Sequence, residues 1–538
     1  MNQIQLTQSY YNYDYNVYQL SLLLKSSEKS SKTDFQFRCD DETVISFEKA
    51  MKGVNLRKYF KNRDRRGRKG YDSAKMLRAL LFSMMVNHTI DYRKVATSCR
   101  YDVRFMHIME YDMPSHNAFK NLVRFKLIKS IDEIFMEISH HIGELMNVDF
   151  SVQYIDGTKI EANANKNTFV YKKRIINARE KKFEKITQSV REISEEIGWD
   201  IPIRRHYCAQ EMGNMAERLM EEMVSRGIEP VYGRGKRKST VQRYYDTFLG
   251  YYQKLAEYEK WLDIIGEGRS SCSKTDHDAT MCATKMDYYN NTGVTRACYN
   301  AQIAVSGGIV VNAELYQRPA DQKTFIPLME RYKKYMGEYP KYPVADAGYG
   351  SYDNYMYCVT KKMELFMKYS MYAKKNEPKF KKKKFETLNW ETDSRGYKIC
   401  PEGHVFDSPV GEQYDEEGAY LKIKQKYTSI KKCEGCKNID KCCKNGSKQR
   451  ILTKDAVLNE FYEKVDKNLS NEFGKEQKKQ RSIQVEGTFG VIKQDMGFTR
   501  LKRRGLENTR MEFLIVCLGY NLKKYHKYRM EKIKNRAN

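Results

Sequence analysis

Three acidic residues in this sequence stand where a divalent metal ion could be held and a phosphodiester attacked. Asp156 closes an apolar stretch in Phe150 to Glu161 (FSVQYIDGTKIE) and is followed by Gly157-Thr158. Asp346 lies in VADAGYGS, where an apolar strand meets a glycine-rich turn. Glu486 lies in RSIQVEGTFGVIKQD, on a segment that reads as a helix also carrying Arg481, Phe489 and Lys493. Glu486, Phe489 and Lys493 fall at i, i+3 and i+7, one face of a helix. Cleavage and strand transfer use two metal ions about 3.5–4 Å apart, clamping the attacking and leaving oxygens. Mg²⁺ is a hard ion that takes carboxylate oxygens. Each acid also has a plainer reading. Asp156 and Asp346 could cap turns, and Glu486 could sit on an ordinary exposed helix. Gly487 and Gly490 argue against the last, because glycine costs ~1 kcal/mol in an exposed helix; they imply close approach by another backbone or by DNA. Asp276, Asp278, Asp287 and Asp321 are rival acids. The best of them is Asp278, in TDHDATM, and no metal is assigned to it.

A second constellation is made of sulfur. Cys400, Cys433, Cys436, Cys442 and Cys443 fall within 44 residues, and Cys433-Glu-Gly-Cys436 has the spacing of a zinc knuckle. Cys400 and one of Cys442 or Cys443 could complete a tetrahedral structural zinc site, with His404 as a substitute ligand. A second C-x-x-C is missing, and reduced, unliganded thiols are the alternative. The other cysteines are scattered. With no secretion signal between Met1 and Tyr18, and only a short apolar run at Leu20 to Leu24, all are expected to be reduced.

The chain of 538 residues has 97 Lys and Arg against 69 Asp and Glu, a net charge of +28. So large an excess repels itself unless a polyanion neutralises it. Nucleic acid is the first candidate and an anionic membrane surface the second. No apolar run is long enough to span a bilayer. The basic residues cluster at Lys61 to Lys69, Gly233 to Ser239, Lys379 to Lys384, Lys478 to Arg481 and Arg500 to Gly505. Forty-one tyrosines offer stacking surfaces for unpaired bases, although most should simply pack.

The elements that must position these groups can be read from periodicity. Residues 1–145 read as helical: an apolar helix around Met76 to Met85 that Ser73 could cap, segments Asp91 to Cys99 and Val103 to Met109, a helix after the N-cap Ser115, and Ile131 to Met146. A helix-turn-helix and a plain packing domain are both open there. Phe150 to Glu161 is a strand. Residues 172–261 are charged and helical, with Glu/Lys pairs at i,i+4. Ala301 to Val305 and Ile309 to Leu315 form a hairpin turned by Gly307-Gly308. Asp321 to Tyr335 is helical, Tyr342 to Ala345 and Glu364 to Tyr369 are strands, and residues 374–450 are irregular. Asp455 to Lys493 and Asn508 to Lys532 are helices. No internal repeat is present.

The stretches YIDGTKIEANANKNTFVYKK, TDHDATM, CYNAQIAV, ADAGYGS and VEGTFGVIKQDMGFTRLKRRG, in this order, resemble the bacterial insertion-sequence transposases of the Asp-Asp-Glu type. Within these they resemble the 1182-type group, related to the larger superfamily with a Tyr-Arg-Glu-Lys signature. The resemblance runs from about residue 70 to 525. It implies an α/β fold: a ribonuclease H-like catalytic core at 146–530, with insertions at about 172–261 (helical, basic) and 374–450 (Lys-rich, with the cysteines), preceded by an all-α N-terminal DNA-binding or dimerisation domain at 1–145. It implies that Asp156 ends the first core strand, Asp346 follows the fourth, Glu486 sits on a later helix, and the three hold two Mg²⁺ or Mn²⁺ ions. Lys493 matches the signature lysine. The signature arginine position holds Ser482, one residue from Arg481, and the tyrosine position holds Lys479.

The function so implied is a transposase that binds the terminal inverted repeats of its own element, cuts them, and joins them to target DNA. Arg481, Lys493, Arg500, Lys502, Arg503 and Arg504 are the expected DNA contacts. Double-stranded DNA is the partner, a homo-oligomer the assembly (two ends must be brought together), and the bacterial cytoplasm, at the nucleoid, the location. Three rivals stand beside this reading: a DNA-binding protein whose catalytic centre has decayed, a metal-dependent endonuclease without strand transfer, and a basic RNA-binding module. The intact acids and their flanking motifs argue against decay.

Overall fold

The structure, a computed structural model, describes residues 41–60, 70–233, 235–284, 294–429, 433, 435–443, 447 and 449–537. The basic run Lys61 to Lys69, Arg234, Asp287 and the N-terminal stretch through Leu24 lie outside the described residues.

A six-stranded mixed sheet forms the centre. Its strands are β1 (Val152–Glu161), β4 (Thr280–Ala283), β5 (Thr295–Ser306), β6 (Ile309–Tyr316), β7 (Tyr342–Ala345) and β8 (Phe366–Met367). The order is β4-β5-β1-β7-β8, with β4 and β6 pairing successive parts of β5. β5 runs antiparallel to β1 and to β6, whereas β7 is parallel to β1 and β8 parallel to β7. The β5–β6 turn is the expected one: Gly307 and Gly308 have φ of 55° and 80°, which a two-residue hairpin of this hand requires. From Ala297 on, β5 is buried at every residue, as a strand covered on both faces must be. The strand expected over Glu364 to Tyr369 is shorter, Phe366–Met367, because only those residues pair with β7.

Every described element before β1 is helical: Glu42–Met51, Leu56–Tyr59, Ser73–Asn87, Tyr92–Tyr101, Val103–Ile108, His116–Leu122, Val123–Leu127 and Ile128–Met146. Asp41, Asp72, Asp91, Asp102 and Ser115 cap five of them by accepting first-turn N–H groups. At Ser73–Asn87 the cap is therefore Asp72, not Ser73. A carboxylate is the better acceptor opposite the positive end of the helix dipole. These helices share one hydrophobic core with the sheet. The joint is the Leu506–Ala537 helix, buried at every residue from Met511 to Tyr520. Gly519 is its close crossing. A Cβ there would stand 2.5 Å from Met84 Cγ and 2.8 Å from its Cβ, so only glycine lets the two helices approach.

The helical insertion has a core of its own. Three helices, Lys172–Glu196, Ala209–Ser225 and Thr240–Ile265, pack Ile186, Val190, Leu219, Phe248 and Leu255 together, apart from the main core. The chain leaves through β2 (Phe169–Tyr171) and returns through β3 (Ser271–Ser273), which pair as a short antiparallel stalk. The second insertion carries a three-stranded sheet, Ser408–Asp415, Lys422–Thr428 and Leu452–Lys454, so it is more regular than its sequence implies.

One ionic cluster ties four elements of the main body. Arg331 donates to Asp132 at 2.8 Å and Glu314 at 3.2 Å, and Arg510 pairs with both acids. Arg331 is buried. Removing one partner of a buried pair costs more than the pair contributes, because a charge is left uncompensated. Asp132→Ala should lower unfolding free energy by about 3 kcal/mol in urea titrations; a change below the measurement error would show that the cluster is solvated.

Candidate active site

The parallel pairing of β1 with β7 stops at Ile155↔Ala345. The next residue on each strand is an acid, Asp156 and Asp346, so the two carboxylates leave the sheet at one level. Asp156 is not the end of β1. Pairing with β5 carries the strand on to Glu161, opposite Cys298. Along the edge that β7 has left, nothing among the described residues pairs with β1 until Glu161, which bonds main chain to main chain with Thr499 and Leu501. A gap in the sheet thus opens beside Asp156. Clefts at the carboxyl ends of parallel strands are where α/β proteins bind ligands.

Arg481 closes the pair from above. Its Nη2 lies 3.2 Å from Asp156 Oδ2 and 3.5 Å from Asp346 Oδ2. The Arg481 side chain is 9% exposed, against 21% for Asp156 and 43% for Asp346, so Asp346 is the acid open to solvent. Each aspartate also accepts a neighbouring main-chain N–H at 2.8 Å, Asp156 from Gly157 within β1 and Asp346 from Gly348 in the turn that follows it. Burial raises the Asp156 pKa to about 6; Arg481 and the Gly157 N–H oppose this, and the charges of Asp346 and Asp321 add to it.

The third acid sits on a helical run, residues 472–495, packed on the same sheet. Gln477 accepts from Tyr154 at 2.6 Å, Arg481 reaches Asp156, and Lys493 Nζ donates to Thr158 Oγ1 at 2.5 Å and to the Lys159 carbonyl at 3.3 Å. Glu486 lies between Arg481 and Lys493, both anchored within three residues of Asp156, and it is exposed. The run is not one regular α-helix. Ser482–Glu486 and Val491–Asp495 are π-turns, which shift side chains around the axis. Phe489 turns into the core while Glu486 faces out. An added Cβ at Gly487 or Gly490 would meet nothing within 4 Å, so that face is open. Among the described residues no set of three or more His, Cys, Asp or Glu stands in ligating geometry: the structure brings Asp156 and Asp346 together through Arg481, and Glu486 is on the same helical run as that arginine.

Beside the pair is Asp321, which the sequence offers only as a rival acid. It accepts from Lys159 at 3.0 Å, Asn300 at 2.7 Å and Gln302 at 2.9 Å. Gln302 in turn accepts from the buried hydroxyl of Tyr349. A signal for this network is present in CYNAQIAV: polar Asn300 and Gln302, two apart on an apolar strand, must satisfy each other or a third group when buried. Asp278 and Asp276 have a different task. Asp278 accepts from the Leu506 N–H at 2.8 Å and Asp276 from Gly505 at 3.1 Å, holding the start of the last helix.

The basic run after Glu486 is tethered. Arg500 donates to the Ala162 and Ala164 carbonyls, Arg504 to Asn163, and Arg503 to Tyr92. The buried Glu512 accepts the Lys502 and Arg503 N–H groups at 3.0–3.2 Å. The Lys502 side chain is exposed, at a cleft shared with Arg93, Lys120 and Arg124 of the N-terminal helices. In the second insertion, Cys400, Cys433, Cys436, Cys442 and Cys443 line one cavity of about 30 Å³ with His404. The His404 and Arg450 N–H groups point at Cys400 and Cys433 sulfur, each at 3.4 Å.

The raised Asp156 pKa has a sign. Below the unfolded value, near 3.8, the group is protonated in both states and burial costs nothing. Above about 6 it is ionised in both, and the folded state carries the desolvation cost. Stability therefore falls as pH rises through this window. In chelator-treated protein, Asp156→Asn should raise stability at pH 8 by on the order of 2 kcal/mol and leave it unchanged at pH 3.5. Calorimetric melting at the two pH values measures this; equal shifts at both would sink the assignment.

No curated protein and no solved structure matches the chain. Residues 399–526 match the family model described as a transposase DDE domain. The matched stretch takes in the cysteines, Arg481, Glu486, Lys493 and the basic run, while Asp156 and Asp346 precede it. The resemblance to the Asp-Asp-Glu transposases is borne out over this stretch, which is similar to a transposase DDE domain.

Proposed function

We propose that this protein is a DNA transposase of the 1182-type group that binds the terminal repeats of its element, cuts them and joins them to target DNA. The single observation that carries the reading is the Asp156–Asp346 pair, set at the point where β1 and β7 part, with Glu486 on the helix that crosses them. The strand order β6-β5-β1-β7-β8, antiparallel through the first three and parallel through the last three, supports a ribonuclease H-like core.

Asp156, Asp346 and Glu486 would hold two Mg²⁺ or Mn²⁺ ions, whose chemistry is to activate the attacking hydroxyl and stabilise the leaving oxygen. The donor set fits hard ions: carboxylate oxygens, two of them already converged on one cationic group. Arg481 supplies positive charge between the aspartates and fixes their separation. Lys493 steadies β1 at Thr158. Lys502, with Arg500, Arg503 and Arg504, lies where the DNA backbone would leave the site. Bringing two ends together calls for more than one copy of the chain, in the bacterial cytoplasm where the DNA is.

Purified protein mixed with DNA carrying the element's ends and Mg²⁺ should cut at the ends and join them to a target. Asp156→Ala, Asp346→Ala and Glu486→Ala should each slow cleavage by about 10³-fold or more while DNA binding survives. Persistent cutting in any one removes that residue from the triad. Binding without cutting in wild type would favour the decayed-site reading, and cutting without joining an endonuclease.

The five cysteines are proposed to hold one structural zinc through Cys400, Cys433, Cys436 and either Cys442 or Cys443. N–H groups aimed at sulfur and a small shared cavity fit thiolate ligation. Elemental analysis should find a single zinc per chain, absent from Cys436→Ser, which should melt at a lower temperature. Zinc-free wild type that melts identically would refute the site.

A further inference from the structure

A cluster of cations on the β8 side of Asp346 has no part in the cleavage chemistry proposed for the acids. Lys368 follows β8 directly. Because Ala345 pairs with Met367, the next residues in register are Asp346 and Lys368, and the Lys368 N–H reaches the Ala345 carbonyl at 3.4 Å. The loop after Asp346 is pressed against this point. A Cβ on Gly350 would collide with the Lys368 carbonyl oxygen, so glycine is needed for the approach. From above comes Lys478, one helical turn before Arg481. Its ammonium donates to the Tyr372 hydroxyl at 3.2 Å and lies 5.4 Å from the centre of that ring.

The charges here do not balance locally. Arg481 is shared between Asp156 and Asp346. Lys478 has a neutral hydroxyl and a ring. The Lys368 ammonium makes no ion pair among the described residues. Burial and the charges of Arg481 and Lys478 push its pKa below the ordinary range, with Asp346 opposing them. Three cations, Lys368, Lys478 and Arg481, stand against the two carboxylates of Asp156 and Asp346 and repel each other, an arrangement that an anion would relieve. A lysine ammonium is a compact charge that binds a phosphate oxygen well.

We propose that Lys368 and Lys478 form a phosphate subsite that grips the DNA backbone beside the reacting phosphate, on the β8 side of the acid pair. This rests on the transposase reading for its substrate, but not for its charge. The ligand chemistry is a phosphate oxyanion, and its source is a phosphodiester of DNA rather than a free anion.

The test uses the full chain, with Lys368→Gln, Lys478→Gln, the double variant, and Lys368→Arg with Lys478→Arg. Affinity for a fluorescein-labelled DNA duplex is measured against salt concentration, and single-turnover cleavage of end-bearing DNA in Mg²⁺. Each lysine that neutralises a phosphate adds about 0.9 to the log–log salt slope, so the double variant should bind with a slope shallower by about two. Cleavage should slow about ten- to a hundredfold per lysine, and the arginine variants should recover most of it. Thermal melting checks that the variants fold. A well-folded double variant with the wild-type salt slope overturns the subsite and leaves the transposase reading standing. Wild type that never cleaves, beside a double variant with reduced slope, overturns the transposase reading and keeps the subsite. Inorganic phosphate should compete equally weakly in wild type and double variant. Saturable competition in wild type alone, with an unchanged DNA slope, would assign the cluster to a small anion and overturn the proposal.

Discussion

Two carboxylates stand at the same level on neighbouring parallel strands, Asp156 after Ile155 and Asp346 after Ala345, and strand pairing alone would leave such like charges to repel each other. What holds them is Arg481, a nearly buried guanidinium within 3.5 Å of both. The rest of the site depends on this three-way contact. It fixes the helical run 472–495 over the sheet, and so fixes where Glu486 and Lys493 can be. It also explains why the helix is anchored by polar bonds as well as packing. Gln477 to Tyr154 and Gln484 to Gly308 set its position on either side of Arg481. A helix free to slide by one residue would break all three at once.

The sheet contributes an edge as much as a surface. β1 is held by β5 along most of its length, yet its other edge is paired only at its two ends, among the described residues, by β7 before Asp156 and by residues 499–501 at Glu161. The acid pair sits at the first of these boundaries and the tethered basic run at the second. The long helical insertion is compatible with this because it leaves the sheet through its own two-strand stalk and buries its own apolar residues, Ile186, Leu219 and Phe248 among them. Its folding therefore asks little of the strands that carry the acids.

Much of this is legible in the sequence, for physical reasons that also mark where legibility ends. Asp156 and Asp346 stand out because each interrupts an apolar, β-branched stretch next to glycine, a local pattern. The hairpin at Gly307-Gly308 and the cap at Ser115 are local in the same sense. Asp321 does not stand out, since its place depends on Asn300, Gln302 and Lys159, whose meeting is a matter of strand register across more than a hundred residues. Arg481 lies one position from the signature arginine of the resembled superfamily. The π-turn that begins at Ser482 changes how the run winds after it, so a count along an ideal helix misplaces side chains there. Glu486 and Phe489, one face by spacing, divide between solvent and core across a regular α-helical turn, which puts residues three apart about 60° from each other around the axis.

The basic run Arg500 to Gly505 shows how a charge count and a structure can differ without conflict. Read as sequence, its cations are free to meet phosphate. In the structure three arginines donate to main-chain carbonyls or to Tyr92, and Glu512 holds the backbone beneath them. A guanidinium has five N–H donors and stays ionised, so one that spends two on carbonyls keeps its charge and its remaining donors. Tethering then lowers the entropy cost when such a group later meets a phosphate, because its position is already set. Lys502, exposed and on a flexible stem, lacks that advantage. The fixed arginines are thus suited to orient the backbone of a bound polyanion, while the net charge of +28 sets how strongly the polyanion is drawn in.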